Sequence, residues 1–281
     1  MQSVSKRISS RVYKVCIKGV LILILGLLCL APARAFARSW SEVRDSHFIV
    51  YYGNEEHASL ARDVLRESQR HYKRIADYVG YSPRGNFWTW EDRARIYIYN
   101  DQDDFIKATH LPPWSQAAAI RDEALFFSKI IVTYAQENEL LSNILPHEIC
   151  HLVLKNFVGF DKNLPVWFEE GLAQLQEDDK RDLADAIMRQ AVKKGVAVPF
   201  PILERYNVRG ETDSLKVTIF YAQSISVLDF LMRKYGIRRF QQLCSNLRDG
   251  KNFDEAFRGA YISLFDSFAE VEDKWVKHIN Q

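Results

Sequence analysis

The sequence predicts an α+β protein, with a small mixed sheet and its helices in the N-terminal half and a mainly helical C-terminal half. Two observations carry this. Strand-like runs rich in β-branched and aromatic residues, at 47–52, 95–99 and 130–134, all lie before residue 140. Beyond residue 140, apolar side chains recur at helical spacing almost throughout. Composition agrees, since 281 residues that are 47% hydrophobic and 26% charged suit a folded chain with a sizeable core.

The elements follow in order. Lys6, Arg7, Arg11, Lys14 and Lys18 form a basic leader, residues 20–30 are an apolar run, and small residues follow in Ala33-Arg34-Ala35 and Ala35-Phe36-Ala37. This is the order of a secretory signal peptide cut after Ala37, which implies a periplasmic or extracellular protein. The expected organisation is a leader, 1–37, and one domain, 38–281, with a sheet-containing part, 38–140, and a helical part, 141–281. An uncleaved anchor is the weaker alternative, because the apolar run falls short of the roughly 20 residues of a comfortable span. Membrane contact is expected only in that case. Without the leader the formal charge moves from +2 to −4, with 32 Lys and Arg against 36 Asp and Glu. A slightly acidic chain argues against nucleic acid as a partner. Cys150 and Cys244 remain, too few for a disulfide framework, although one bridge is chemically possible after export.

A strand at 47–52 is closed by Gly53-Asn54. A helix is expected over 55–79, with Leu60, Val64, Leu65, Tyr72, Ile75, Ala76 and Val79 on its apolar side and Gly80 as its cap. Residues 80–93 read as a loop whose aromatic run, Phe87-Trp88-Thr89-Trp90, suits a plug over the sheet better than a membrane or substrate contact. A strand at 95–99, a short helix at 103–109 and strand-like runs at 125–127 and 130–134 complete the first half. Helices then read at 143–157, 165–176, 180–194, 218–235, 237–247, 253–258 and 264–279, with Gly195, Gly236 and Gly250 ending three of them. Lys193-Lys194 complements a helix C-terminus, and Arg238-Arg239 is a solvated pair.

The chemistry lies at His147-Glu148-Ile149-Cys150-His151. Positions four apart on a helix share a face, so His147 and His151 turn their imidazoles toward one point, as two zinc ligands must. With Asn143 as cap, Pro146 falls in the first turn, where its missing N–H costs no hydrogen bond. A catalytic zinc usually takes three protein ligands and keeps one position open. A third is available in Pro165-Val166-Trp167-Phe168-Glu169-Glu170-Gly171-Leu172-Ala173, where Pro165 suits a first helical position and Glu170 follows His151 after 18 intervening residues.

His-Glu-x-x-His, 18 residues, then Glu in a Trp-Phe-x-Glu-Gly-Leu-Ala setting resembles the gluzincin zinc metallopeptidases of the peptidase MA type. The resemblance implies a zincin-like fold and one zinc ion held by His147, His151 and Glu170. It implies that Glu148 takes a proton from the activated water and passes it to the leaving amine, with a peptide or protein as substrate. Gluzincins commonly supply an oxyanion donor from downstream, and Tyr221, in Phe220-Tyr221-Ala222-Gln223-Ser224, occupies such a place; a tyrosine packed in the helical half is an equal alternative. Glu169 matches no ligand position and reads as a charge behind the site or facing solvent. Cys150 sits in a variable slot and reads as packing. The Gly-x-Met-Glu-Asn run of gluzincin aminopeptidases is absent, so endopeptidase action is expected rather than exopeptidase. His47, His57, His71, His110 and His278 have no metal spacing. A zinc-binding module that grips a polypeptide or envelope partner without cutting it is the second functional reading.

Overall fold

A computed structural model describes residues 39–81, 88, 92–120, 129–136 and 139–281. The expected leader, the strand-like run at 125–127 and most of the aromatic loop lie outside the described residues.

Five strands form one sheet: β1 (Ser41–Arg44), β2 (Phe48–Tyr52), β3 (Ala94–Tyr99), β4 (Ala117–Ile120) and β5 (Ile130–Tyr134). Their order is β1-β2-β3-β5-β4, with β2, β3 and β5 parallel and the two edge strands antiparallel to their neighbours. Successive side chains on a strand alternate between faces, and β3 uses both. Ala94, Ile96 and Ile98 enter the main core, whereas Tyr97 and Tyr99 join a smaller cluster with Phe105, Ile130 and Val132 on the other face. Burial on both sides is what a parallel centre requires. The edge strands escape a reading by pattern, because β1 is a short polar Ser-Glu-Val-Arg and β4 is mostly alanine, a weak strand former.

Helix α1 (Ala58–Val79) turns Ala61, Val64, Ile75 and Val79 into the main core and stops at Gly80, whose φ of 84° is open to glycine without strain. A single 3₁₀ turn precedes it at Glu55–His57. On the opposite side of the sheet lies α2 (Gln102–Thr109), capped by the Asp101 carboxylate and anchored by Phe105. Trp88, the described member of the aromatic run, is buried between Phe48 and Tyr72 and donates from Nε1 to Asn156 Oδ1 at 2.8 Å.

The remaining α-helices are α3 (Leu145–Val158), α4 (Val166–Gln174), α5 (Lys180–Lys193), α6 (Phe200–Leu203), α7 (Ser214–Tyr235), α8 (Ile237–Arg248), α9 (Phe253–Ala260) and α10 (Val271–Ile279). Several starts differ from expectation. Asn143 is not the cap of α3. It lies in a π turn over Leu140–Ile144, and its Oδ1 accepts the Asp178 N–H at 3.3 Å, so a distant segment claims the side chain that local pattern assigns to capping. Pro146 still falls in the first turn. Pro165 precedes α4 in extended backbone, with ψ of 134°, instead of opening it. Asp213 starts α7 one turn early by accepting the N–H groups of Leu215 and Lys216. The expected 264–279 helix is only α10 after a short 3₁₀ turn, since Ser267 is extended, with φ of −153° and ψ of 161°, and breaks the run. The four-residue α6 is too short to show a period.

Helix α7 is the one described helix long and apolar enough to cross a membrane, and 78% of its apolar stretch is buried in the fold, which makes it a core helix. One apolar cluster runs from Phe48 on β2 to Ile279 on α10, so the change near residue 140 is in secondary structure and not between separate cores. Cys150 and Cys244 are buried free thiols.

Candidate metal centre

Helix α3 is apolar on nearly every side and runs through the centre of the molecule, with residues 145–154 all buried. Its two histidines are therefore removed from water. Four residues of helix bring their rings to a centroid separation of 4.8 Å and their Nε2 atoms to 3.1 Å. Metal bonds of about 2.0–2.2 Å at tetrahedral angles would set ligand atoms roughly 3.3–3.6 Å apart, so the imidazoles already stand near that spacing.

Glu170 arrives on α4. A Cβ at Gly171 would lie 2.7 Å from the Ser224 carbonyl oxygen and 2.8 Å from its carbon, so glycine there lets α4 approach the backbone of α7. The Glu170 carboxyl is thereby turned inward, with Oε2 at 3.9 Å from His147 Nε2. That oxygen is buried and has no hydrogen-bond partner. His147, His151 and Glu170 offer ligand atoms that all lie within 4.8 Å of one another. Two imidazole nitrogens and one carboxylate oxygen, the latter unpartnered in the interior, suit a zinc ion better than they suit each other.

Two groups behind these three escaped the sequence reading. Glu177 Oε1 accepts the His147 Nδ1–H at 2.8 Å, which leaves Nε2 as the ring atom that faces Glu170 and His151. Glu177 is held in turn by Lys180, at 3.3 Å. No helical period points to it, because α4 ends at Gln174 and Glu177 lies in the turn before α5. The second is the Ala119 N–H, turned off the edge of β4, which donates to Glu148 Oε2 at 2.7 Å. No sequence pattern announces it. Oε1 of Glu148 is buried and unpartnered.

The electrostatics are those of crowded, desolvated groups. Burial lifts the Glu170 carboxyl to about 7, against the pull of the His147 charge. Burial likewise raises Glu148, with His147 and the Ala119 N–H opposing it. Burial alone would lower His147, but the Glu177 hydrogen bond and charge, with Glu148 and Glu170 beyond, bring it to about 8. His151 is pushed well below its usual value by burial and by its neighbour His147. A divalent cation would favour the deprotonated ligands and release protons on binding.

Tyr221 is buried on α7 with its ring against Phe220. Burial, then the Glu170 charge, push its phenol well upward, so it keeps its proton. Glu169 is buried, which removes the solvent-facing option, and it pairs with Lys155 and at 4.0 Å with Arg209. Cys150 is fully buried as packing. Of the other histidines, His71 donates from Nε2 to the Leu141 carbonyl at 2.9 Å and His47 pairs through Nδ1 with Gln69 at 2.8 Å.

No curated protein matches the chain. A family model described as Peptidase MA superfamily matches residues 89–281, a stretch that contains every side chain of the centre. With the gluzincin spacing of three side chains that could hold a metal ion, the chain belongs to the Peptidase MA superfamily.

Proposed function

We propose that this protein is an exported zinc endopeptidase, with His147, His151 and Glu170 as metal ligands and Glu148 as the general base. The observation that supports this best is the convergence of those three ligand atoms within 4.8 Å, next to a carboxyl that has one oxygen tied and one free. When bound, zinc supplies Lewis acidity and can bring the pKa of a water toward about 7. Glu148, steadied through Oε2 by the sheet edge, takes the proton of the attacking water on Oε1 and hands it to the leaving nitrogen. Its raised pKa favours that second step. Glu177 holds the His147 ring in one tautomer and orientation. Tyr221 keeps its phenolic proton and offers it to the oxyanion that forms on the substrate carbonyl. The leader reading supports export, with Arg38 as the mature N-terminus, which sequencing of the exported protein would test.

The deciding experiment sets zinc-loaded wild type beside Glu148→Gln against a mixed peptide library, with metal content measured by mass spectrometry. Wild type is expected to cut internal bonds, and the variant to hold one zinc while cutting about 10²–10⁴-fold more slowly. If both leave the library intact while each holds one zinc, the peptidase reading fails and a non-cutting binding module takes its place.

A further inference from the structure

Arg209 lies on the connection between α6 and α7, and that connection is built to stay in place. Val208 is 2% exposed and anchored in the main core. The Tyr206 hydroxyl donates to Glu211 Oε2 at 2.8 Å, and Glu211 Oε1 accepts the N–H groups of Thr212 and Asp213. Asn207 Oδ1 accepts the Arg209 N–H at 3.0 Å. The Tyr206 ring packs on Phe220, one residue before Tyr221. An arginine is thus held over the end of α7 that carries the proposed oxyanion donor.

Its guanidinium has little to do within the fold. Among the described residues its one charge partner is Glu169 Oε2, at the loose distance of 4.0 Å, and its side chain is 35% exposed. Glu169 is already neutralised more closely through its other oxygen by Lys155. Glu169 adjoins Glu170, and the Arg209 charge reaches His151, Glu170 and Tyr221. A reachable guanidinium beside a peptide-cleaving centre has one natural complement, since its planar fork matches a carboxylate with two parallel hydrogen bonds. We propose that Arg209 is a specificity-determining residue that binds a carboxylate of the peptide, either an acidic side chain near the scissile bond or the chain's C-terminus. This rests on the peptidase reading for its setting, though its test does not need turnover.

The experiment uses matched short peptides that differ only in Glu against Gln at each position, each with a free or an amidated C-terminus. Binding to zinc-loaded Glu148→Gln protein is read by fluorescence anisotropy, and cleavage by wild type is read in parallel. The carboxylate-bearing peptide is expected to bind about tenfold tighter than its neutral match. Arg209→Met should abolish the preference, Arg209→Lys keep part of it, and Arg209→Glu reverse it toward Lys-containing peptides, with melting curves to verify folding. In wild type against Arg209→Met, KM for carboxylate peptides rises while kcat holds. The Glu/Gln pairs and the free/amide pairs separate the two sources of carboxylate. Equal binding of acid and neutral peptides, no binding at all, or a preference that survives Arg209→Met overturns the proposal. Cleavage without acid preference leaves the peptidase reading standing alone, whereas an Arg209-dependent preference without cleavage leaves only the binding role.

Discussion

Gly171→Ala tests the packing that delivers Glu170 to the centre. The added methyl would meet the Ser224 carbonyl oxygen at 2.7 Å and its carbon at 2.8 Å, and both are backbone atoms of a buried helix that cannot swing aside. Regaining the 3.4 Å at which ordinary contact begins requires α4 and α7 to part by about 0.7 Å. Overpacking of this kind costs roughly 1–3 kcal/mol, and alanine returns about 0.5–1 kcal/mol through better helix propensity. A net loss of up to about 2.5 kcal/mol follows, or a fall in Tm of up to roughly 10 °C for a chain of this size. Glu170 is the adjacent residue, so its carboxyl shifts by several tenths of an ångström and zinc affinity drops by about tenfold or more. Thermal unfolding of metal-free protein isolates the packing loss, and competition with a chromogenic chelator measures the zinc loss. A variant that melts at or above wild type, with unchanged zinc affinity, would refute the close approach of α4 to α7.

Other expectations follow from the same geometry. Glu177→Gln should weaken zinc binding about 10–100-fold with little change in metal-free stability, because the His147 ring loses its charged anchor; an unaltered affinity would remove Glu177 from the site. Tyr221→Phe should lower kcat by about 10²-fold and leave zinc stoichiometry intact, and a kcat near wild type would assign Tyr221 to packing. His71 supplies a pH test. Burial lowers its imidazole below the ordinary value of about 6.5, and its Nδ1 has no partner to receive a second proton. The unfolded chain therefore binds more protons below that pH, so this contribution to stability is present above pH of about 6.5 and is lost as the pH falls through the lowered folded value. Denaturant titrations at pH 8 and 5 should show His71→Gln losing less stability on acidification than wild type, and parallel losses would contradict this.

The two histidines of the candidate metal centre were legible because their geometry is local. His147 and His151 share one helix, and a period of 3.6 residues dictates that positions four apart meet. Glu170 was readable through the resemblance, from its 18-residue spacing after His151 and its Trp-Phe-x-Glu-Gly-Leu-Ala setting, and the structure adds that this helix is buried and that Gly171 lets it approach α7. The central strands were legible for a similar reason, since β2, β3 and β5 carry dense β-branched and aromatic runs. Where a start signal was a single polar side chain, the reading slipped. Asn143 had two possible partners, and only the folded chain brings Asp178 to it.

Glu177 against His147, the Ala119 N–H against Glu148, and Arg209 beside Glu169 all join segments 29 to 40 residues apart in the chain. A side chain's type and period say which way it faces on its own element, and from these the sequence by itself determined the facing pair His147 and His151, the central strands and most of the helices, while the family resemblance added Glu170. Which distant group waits on that face depends on how the elements pack together. The tertiary structure alone decided the edge strands, the support behind His147 and Glu148, and the arginine beside Glu169, because no local period encodes a partner that lies on another element.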